Sequence, residues 1–388
     1  MIKKGGFGYN YSIKNKQKGP VNMKIIHCAD LHLDSKLEAN LSKEKAKQRK
    51  GEILNTFVRM IDYAEKENAE IILIAGDLFD RNNVSATASN TVKNAIYSHP
   101  GIRFYYLKGN HDSAGIFNNP EDIPENLKVF DDHWTSYHEA DGRITISGVE
   151  LSGSNAGSIY NTLVLDNSTF NIVLLHGQEA GSTSKSKDKT EVINIKALKN
   201  KAIDYLALGH VHAPKTERLD ARGVYCYPGC LDGRGFDECG EHGFMVLNVD
   251  TDTLKYTYEF IPFASRKLYT IECDVSGCIS SAEMISKVDE ALGSTDCTGS
   301  DLIKIVLKGS VDIDCEKDPD YILSAFSDRY FFAKLYDETT PYVDPNDYAL
   351  DSSLKGEFVR GILNDPDIDE ADKPFIIKIG LNAILGTK

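Results

Sequence analysis

The sequence predicts an α/β protein, namely a layered α-β-β-α sandwich followed by a smaller C-terminal α/β domain and terminal helices. Three observations indicate this class. From Met23, short apolar strands alternate with helical patterns, which is typical of a largely parallel sheet. After Lys128, strands follow one another with short connections, as a second sheet requires. A third alternation of strands and helices begins after Arg266.

The first 22 residues precede this pattern. They are rich in Gly, Lys and Asn and show no hydrophobic period, so we interpret residues 1–22 as a disordered extension. A basic arm that binds nucleic acid is the alternative for this segment.

The first predicted domain covers residues 23–265. Its strands and helices are expected, in order, at "MKIIHCAD", residues 48–68, "EIILIAGD", residues 85–97, "RFYYLKGN", "RITISGVEL", "FNIVLLHG", "AIDYLALGH", "GVYCYPG", "FMVLNVD" and "LKYTYEFIPF".

Residues 266–345 are predicted to form a small α/β domain, and residues 346–388 a helical segment. The small domain is expected to contain "LYTIECDV", a helix near 281–292, "DLIKIVLKGSV", a helix near 321–326 and "FFAKLYDE". "PYVDPND" is interpreted as a linker. The apolar residues at 354, 358, 359, 362 and 363 predict one amphipathic helix, and residues 374–385 predict a second one.

The composition is that of a globular protein without a membrane span. Hydrophobic residues make up 41% of the 388 positions and charged residues 26%, and the N-terminus has no apolar signal-peptide core. We therefore expect a cytoplasmic location. The eight cysteines include no C-x-x-C pair, which favours buried free thiols over a zinc knuckle or a disulfide framework.

The negative charge is concentrated at the C-terminal end. Of the net charge of −14, residues 266–388 contribute −11, from 24 acidic and 13 basic residues. An acidic surface repels nucleic acid at long range, so binding there requires a local groove or bound metal cations.

Polar side chains follow five of the predicted strands. Because the carboxyl ends of parallel strands meet at one edge of a sheet, we expect these side chains to converge. In an extended segment, residues two positions apart share a face. The candidate site residues are Asp30 and His32, Asp77, Asn110, His111 and Asp112, His176, and His210 and His212.

The residue types favour divalent metal ions. Carboxylate, imidazole and amide ligands without thiolate suit Mn²⁺, Fe²⁺ or Zn²⁺. Seven ligands of these types are too many for the four positions of one tetrahedral site. They suit two ions that share a carboxylate. Two ions in this arrangement are typical of phosphoryl transfer by in-line displacement.

The ordered blocks "ADLH", "GDLFD", "GNHD", "LLHG" and "GHVH" resemble the signature of the calcineurin-like metallophosphoesterases. Together with "ADLHLDS" and "YPGCLDGRGFDECG", they are similar to the DNA-repair exonuclease branch, which includes SbcD-type and YhaO-like nucleases. The C-terminal third resembles the capping domain of that branch and its ATPase-docking helices in arrangement only.

The resemblance implies a role for each candidate residue. Asp30, His32 and His212 would bind one ion, Asn110, His176 and His210 would bind the other, and Asp77 would bridge them. His111 would face the scissile phosphate and stabilise or protonate the departing oxygen. Asp112 would fix the His111 ring. Arg234 is a candidate contact to the substrate backbone, with a loop salt bridge as the alternative.

Two departures limit what the resemblance implies. Asp80 stands where archaeal and eukaryotic relatives have a histidine, so their strand preference does not transfer. Asp34 stands where those relatives usually have glycine, which favours the YhaO-like side.

The leading hypothesis is a manganese-dependent DNA exonuclease or endonuclease of double-strand-break repair. The resemblance implies a homodimer that acts with an SMC-like coiled-coil ATPase. The chain has no G-x-x-x-x-G-K-[ST] loop of its own, so any ATP requirement would have to come from that partner. One alternative is a metallophosphatase or cyclic-nucleotide phosphodiesterase acting on small substrates. The other is a scaffold protein with a relic site, against which the complete ligand set argues.

Overall fold

The strand and helix alternation predicted from Met23 onward is present in the computed structural model. The structure describes residues 22–37, 41–80, 84–112, 116–117, 120–181, 192–313 and 315–385. Of the predicted extension, residues 1–21 lie outside the described residues.

The described chain as far as Pro262 contains the following strands in order: β1 (Asn22–Cys28), β2 (Ile71–Ala75), β3 (Arg103–Leu107), β4 (Leu127–Val129), β5 (Thr135–Glu139), β6 (Ile144–Gly148), β7 (Phe170–His176), β8 (Gln178–Glu179), β9 (Val192–Ile193), β10 (Tyr205–Gly209), β11 (Lys215–Arg218), β12 (Val224–Tyr227), β13 (Gly243–Asp250) and β14 (Tyr256–Pro262). The α-helices of the same stretch are α1 (Lys43–Lys66), α2 (Ala86–Ser98), α3 (Ile159–Thr162) and α4 (Ile195–Leu198), and Pro120–Asp122 form a 3₁₀ turn.

The remaining strands are β15 (Leu268–Asp274), β16 (Leu302–Lys308), β17 (Ser310–Asp312), β18 (Phe332–Asp337) and β19 (Thr340–Tyr342). The remaining helices are α5 (Ser281–Gly293), α6 (Pro319–Ser327), α7 (Pro345–Tyr348), α8 (Leu354–Leu363) and α9 (Lys373–Leu385).

Contacts divide the chain into two units. The first consists of the described residues among Met1–His32, Val58–Gly229 and Phe244–Ile261. The second consists of those among Leu33–Phe57, Cys230–Gly243 and Pro262–Lys388. The boundaries 23–265, 266–345 and 346–388 remain a proposal.

Two six-stranded sheets build the first unit. Their strand orders are β14-β13-β1-β2-β3-β4 and β11-β12-β10-β7-β6-β5. Strands β1 to β4 pair in parallel, as do β6, β7, β10 and β12, whereas β13 pairs antiparallel with β1. The carboxyl ends of the central strands of each sheet therefore lie at one edge.

The core of the first unit lies between these two sheets. Alternate residues of both sheets pack into one buried cluster, and Leu73, Tyr105, Leu174 and Ala207 are among its members. A second cluster covers the other face of β7 and β10 and includes residues of α3 and α4. The predicted layered sandwich is thereby confirmed.

Helix α2 begins and ends close to the predicted positions 85–97. The Ser85 hydroxyl caps its N-terminus by accepting the Ala88 N–H. The predicted helix at 48–68 is α1, which begins five residues earlier, at Lys43.

The second unit contains a parallel sheet of order β15-β16-β18. Residues of β15 and β16 form a buried cluster with residues of α5 and α6, among them Met284 and Phe326. A buried ion pair between Arg49 and Asp232 joins two other segments of this unit, and Thr56 Oγ1 donates to Asp232 Oδ2 at 2.9 Å.

The interpretation of "PYVDPND" as a linker was wrong. Its first residues belong to β19, which pairs in parallel with β17. Pro345 then starts the short helix α7, whose N-terminus is capped by the Asp344 carboxylate. The two predicted terminal helices are α8 and α9, although Leu354, expected on the buried face of α8, is 69% exposed.

The eight cysteines are free, as predicted, and five of them are buried. No helix among the described residues has the length and apolar content that crossing a membrane requires.

Candidate metal centre

The predicted ligands lie at the carboxyl ends of central strands, all within the first unit. Asp30 and His32 follow β1, Asp77 follows β2 and Asn110 follows β3. His176 is the last residue of β7, and His210 directly follows β10. The two facing sheets thus present their ligands at the same edge.

Four of these residues have an uncommon backbone conformation. The φ angle is 51° at Asp30, 43° at His32, 52° at Asp77 and 98° at His210. Residues other than glycine rarely adopt positive φ, and such residues cluster at functional sites, where the surrounding structure holds them. Here the Asp30 N–H donates to Gly76 O at 3.1 Å, and the His32 N–H donates to Asp77 O at 2.9 Å.

Glycine permits the close approach of the strand ends. A Cβ atom on Gly209 would lie 1.9 Å from Ala75 O and 2.8 Å from His176 Nδ1. Gly76 has a φ of +92°, and a Cβ there would lie 2.1 Å from the same nitrogen. The glycines of "AGD" and "LGH" thus leave room for the His176 ring.

Asp30, His32 and His212 form one group whose potential ligand atoms lie within 4.8 Å of one another. The Nε2 atoms of His32 and His212 are 3.1 Å apart. This is the set that the family resemblance assigned to one ion.

A second group joins Asp30, Asp77 and His176 within the same limit. His176 Nδ1 donates to Ala75 O at 2.9 Å, which directs Nε2 toward Asn110 Oδ1 at 3.1 Å and Asp77 Oδ2 at 3.4 Å. The His210 ring lies 5.4 Å from the His176 ring, centroid to centroid. The seven predicted ligands are therefore brought together.

The two carboxylates of the centre are almost completely buried. Asp30 is 0% exposed and Asp77 is 2% exposed. Burial raises the pKa of Asp30 to about 6, although His176 and His212 oppose this rise. Burial also acts on Asp77, but the neighbouring His176 and His32 outweigh it and hold its pKa below the usual range.

The two histidines beside these carboxylates shift in opposite directions. Burial lowers the pKa of His176, but Asp77 and Asp30 outweigh it and raise this pKa to about 9. Burial and the neighbouring His176 lower the pKa of His210 to about 4. His176 therefore favours its charged form beside the two carboxylates, whereas His210 favours its neutral form.

The donor set fits a pair of divalent ions. Two buried carboxylates, four imidazoles and one amide oxygen converge, and hard or borderline divalent ions prefer these donors. Two ions here would lower the pKa of a bound water and neutralise charge that develops on a phosphoryl group.

His111 lies beside this group with its side chain 45% exposed. The backbone N–H of His111 donates to Asp77 Oδ1 at 2.9 Å, and this hydrogen bond fixes the backbone next to Asn110. The exposed ring is available to a bound substrate.

We predicted that Asp112 fixes the His111 ring, but its carboxylate has other partners. Its carboxylate accepts the backbone N–H groups of Phe79 at 2.8 Å, Leu78 at 3.0 Å and Gly109 at 3.1 Å. Asp112 thus ties the segment after Asp77 to the segment before Asn110. Burial raises the pKa of Asp112 to about 6, although these three hydrogen bonds act to lower it.

Sequence reasoning missed the position of Asp80. Its Oδ1 lies 3.1 Å from His32 Nδ1 and 3.5 Å from His111 Nδ1, so one carboxylate reaches both rings. His32, Asp80 and His111 also form a third group of potential ligand atoms. The acidic residue that ends "GDLFD" is the signal in the sequence for this contact.

Arg234 lies in the second unit. Its Nη2 pairs with Glu238 Oε1 at 2.8 Å, and its Nη1 donates to Ser35 Oγ at 3.3 Å. The salt bridge expected as the alternative is present, and a contact to substrate stays a proposal.

Comparison with known proteins agrees with this geometry. A family model described as calcineurin-like phosphoesterase matches residues 23–214. This range contains every residue of the three groups above.

Three relatives extend the similarity. The metallophosphoesterase YhaO of Bacillus subtilis is 27% identical over 317 residues, covering 78% of this chain and 74% of that protein. The SbcD component of the nuclease SbcCD from Staphylococcus epidermidis is 26% identical over 290 residues, and the match covers 66% of this chain and 74% of that protein. The DNA double-strand break repair protein Mre11 of Methanopyrus kandleri is 26% identical over 285 residues, and the match covers 66% of this chain and 60% of that protein.

The family match and the converging ligands lead to one conclusion. Residues 23–214 of this chain belong to the calcineurin-like phosphoesterases, and the chain is a metal-dependent phosphoester hydrolase.

Proposed function

We propose that this protein is a manganese-dependent phosphodiesterase that cleaves DNA in double-strand-break repair, together with an SMC-like coiled-coil ATPase. The observation that carries the proposal is the convergence of Asp30, His32, Asp77, Asn110, His176, His210 and His212 at the carboxyl ends of two facing sheets. A set of oxygen and nitrogen donors suits Mn²⁺, with Fe²⁺ or Zn²⁺ as alternatives.

In this proposal, Asp30, His32 and His212 hold one ion and Asn110, His176 and His210 hold the other. Asp77 would be shared by both ions, since its Oδ2 lies 3.7 Å from His32 Nε2 and 3.4 Å from His176 Nε2. The two ions would supply a water of lowered pKa, which loses a proton, and would neutralise charge on the phosphoryl group. As the oxygen of that water bonds to phosphorus, the bond from phosphorus to the departing oxygen breaks, and the departing oxygen takes up a proton.

His111 contributes a hydrogen bond, or a proton, to the departing oxygen. Its partial exposure and its fixed backbone, held by Asp77 Oδ1, support this role. Asp80 lies against its Nδ1 atom, so Nε2 is the ring nitrogen directed away from this carboxylate.

DNA as the substrate is supported by two of the relatives, whose names state a nuclease and a DNA double-strand break repair protein. A partner ATPase and a homodimer are proposed on the resemblance to the same branch. The chain itself contains no phosphate-binding G-x-x-x-x-G-K-[ST] loop.

The experiment measures Mn²⁺-dependent degradation of end-labelled linear double-stranded DNA by the full chain. Asp77→Asn is expected to lower the rate at least ~100-fold, because a bridging carboxylate supports both ions. The exposed Asp141→Asn makes the same chemical change outside the centre and is expected to retain the rate. Equal rates for Asp77→Asn and the unaltered protein would contradict the proposed centre.

His111→Ala separates the leaving-group role from metal binding. Bis(p-nitrophenyl) phosphate releases p-nitrophenolate, which departs without a proton, whereas a sugar oxygen needs one. We therefore expect a larger loss on DNA than on bis(p-nitrophenyl) phosphate. Equal losses on both substrates would argue against proton donation by His111.

A small phosphoester is the second candidate substrate, and the net charge of −11 over residues 266–388 favours it. Hydrolysis of bis(p-nitrophenyl) phosphate or of a cyclic nucleotide without degradation of DNA would support this candidate.

A further inference from the structure

The beginning of α1 is strongly basic, although the chain as a whole is acidic. The stretch "SKEKAKQRK", residues 42–50, contains five basic residues and one acidic residue, whereas the whole chain has a net charge of −14. All nine residues belong to the second unit. An acidic protein needs such a local concentration of positive charge to bind a polyanion, because the rest of its surface repels one.

Two of the five basic residues have a role in packing. Arg49 is buried and forms the ion pair with Asp232. Lys45 Nζ lies 5.7 Å from the centroid of the Phe331 ring. The positive charges of these two residues therefore already have partners within the fold.

The other three basic residues are Lys43, Lys47 and Lys50. Their spacing of four and then three residues places them on the same side of α1. Lys43 and Lys47 are exposed, and Lys50 is partly exposed. Within the part of the chain that the structure describes, none of their ammonium groups has a carboxylate, a hydrogen-bond acceptor or an aromatic ring as a partner. These three residues are called the lysine face of α1 below.

Helix stability does not explain these cations. Ser42 directly precedes α1, and its Oγ accepts the Lys45 N–H at 3.3 Å, so Lys43 lies in the first turn. The aligned peptide dipoles place partial positive charge at this end of a helix, which disfavours a cation there. Glu44 offsets only one of the five positive charges of the stretch and leaves a net charge of +4. The lysine face therefore fits a role in binding better than a role in folding.

The dimensions and surroundings of the lysine face suit a duplex backbone. At a rise of 1.5 Å per residue, Lys43 to Lys50 covers about 10 Å of the helix axis. A DNA duplex carries one negative charge per about 1.7 Å of its axis, so several phosphates lie within that length. Phe331, the ring that Lys45 contacts, is already packed against the Arg266 guanidinium at 3.7 Å and supplies no free plane for a base. Contacts to phosphates alone suit a duplex, whose bases stay stacked on one another.

We propose that the lysine face of α1, formed by Lys43, Lys47 and Lys50, binds the phosphate backbone of double-stranded DNA. The contact is electrostatic, so it holds the duplex without reading its base sequence. It also supplies the local positive charge that an acidic protein requires to retain DNA. The inference rests on the proposed function, because it takes DNA as the substrate.

The test measures binding of a fluorescein-labelled DNA duplex to the full chain by fluorescence anisotropy in EDTA, where hydrolysis does not interfere. We expect Lys43→Gln/Lys47→Gln to weaken binding roughly tenfold. The slope of log affinity against log salt concentration should become shallower by about 0.9 for each phosphate that is no longer neutralised. The midpoint of thermal unfolding should not fall, because neither ammonium group has a partner to lose among the described residues.

The matched control is Lys196→Gln/Lys199→Gln. These two lysines are exposed at α4 in the first unit, and the change in net charge is the same. This control should bind the duplex like the unaltered protein. Equal weakening in both double variants would overturn the proposal, because it would mean that only net charge matters.

Lys43→Arg/Lys47→Arg supplies a second test, in which the charge is kept. This variant should bind the duplex like the unaltered protein, because a phosphate contact needs the positive charge and not the lysine itself. A loss as large as that of the glutamine variant would overturn the proposal. Two duplexes of unrelated sequence should bind equally well, and a tenfold or greater preference for one would contradict a contact restricted to phosphates.

Hydrolysis of bis(p-nitrophenyl) phosphate by the unaltered protein keeps the two proposals apart, since this substrate has a single phosphate and no backbone. Duplex binding that depends on Lys43 and Lys47, in a protein that fails to hydrolyse this substrate, would support the lysine face and contradict the proposed hydrolysis. Hydrolysis of this substrate by a protein that does not bind the duplex would overturn the proposal for the lysine face and leave the metal centre supported.

Discussion

Both carboxylate oxygens of Asp30 accept the backbone N–H of His210, at 2.8 and 2.9 Å. The two residues are 180 positions apart in the chain and follow the central strands of the two facing sheets. One hydrogen-bonding arrangement therefore sets the distance between the strand ends that carry the candidate ligands. It also explains the backbone of His210, whose φ of 98° directs its N–H to the carboxylate.

Metal binding should stabilise the fold and reach two ions per chain. At an Mn²⁺ concentration 100 times the dissociation constant, we expect about 2.7 kcal/mol of added stability for each ion site, because the ions bind only the folded state. Thermal unfolding with Mn²⁺ and with EDTA measures this difference, and elemental analysis after dialysis measures the stoichiometry.

His210→Ala should lower that stoichiometry toward one ion. His133→Ala is the control, since His133 belongs to an exposed group with Asp131 and Asp132 outside the centre. A loss of bound metal in His133→Ala, with none in His210→Ala, would place the ions at the exposed group instead.

Asp80 should act through the two rings that it contacts. Asp80→Ala removes the acceptor beside His32 Nδ1 and His111 Nδ1, so the Mn²⁺ concentration for half-maximal activity should rise ~10- to 100-fold. Asp80→Asn keeps one acceptor oxygen and should lose less. A kinetic titration with Mn²⁺ measures both variants, and an unchanged titration curve in Asp80→Ala would show that the carboxylate is dispensable.

Gly209→Ala should disrupt the centre without replacing a predicted ligand. The added methyl group would lie 1.9 Å from Ala75 O, so β2, β10 or the His176 ring must move. We expect the free energy of unfolding to fall by more than ~1 kcal/mol, together with loss of hydrolysis. Gly101→Ala, where nothing lies within 4 Å, should change neither, and urea unfolding with activity assays compares the two.

The buried His27 should make stability depend on pH. Its Nδ1 lies 2.9 Å from the Tyr205 hydroxyl, and burial lowers its pKa to about 3. Below pH ~6.5 the unfolded chain binds a proton here that the folded chain does not bind, so stability falls as the pH falls. This loss should amount to about 1.4 kcal/mol per pH unit between pH 6 and 4.

His27→Gln removes this titration while keeping a partner for Tyr205. Urea unfolding in EDTA between pH 6 and 4 should therefore show a shallower pH dependence in the variant. Parallel curves for the two proteins would mean that His27 takes up its proton in the folded state as well.

Local sequence was sufficient for most of the fold. The apolar runs predicted β1, β2, β3, β7 and β10, and the polar residues directly after these runs predicted the candidate ligands. Both signals are local, because each involves residues only a few positions apart in the sequence. The interpretation of residues 341–347 as a linker failed for the opposite reason. Strand β19 exists because it pairs with β17, some thirty residues earlier, whereas the Asp-Pro that starts α7 is a local signal of a helix N-terminus.

The sequence by itself predicted the chemistry of this protein, from seven oxygen- and nitrogen-bearing side chains that each follow an apolar strand. Only the tertiary structure decided how the other residues serve that centre. Asp112 ties backbone segments together, and Asp80 reaches two rings. These contacts depend on the strand register and on which loops meet at the sheet edge. Neither can be predicted from the residues that are adjacent in the sequence.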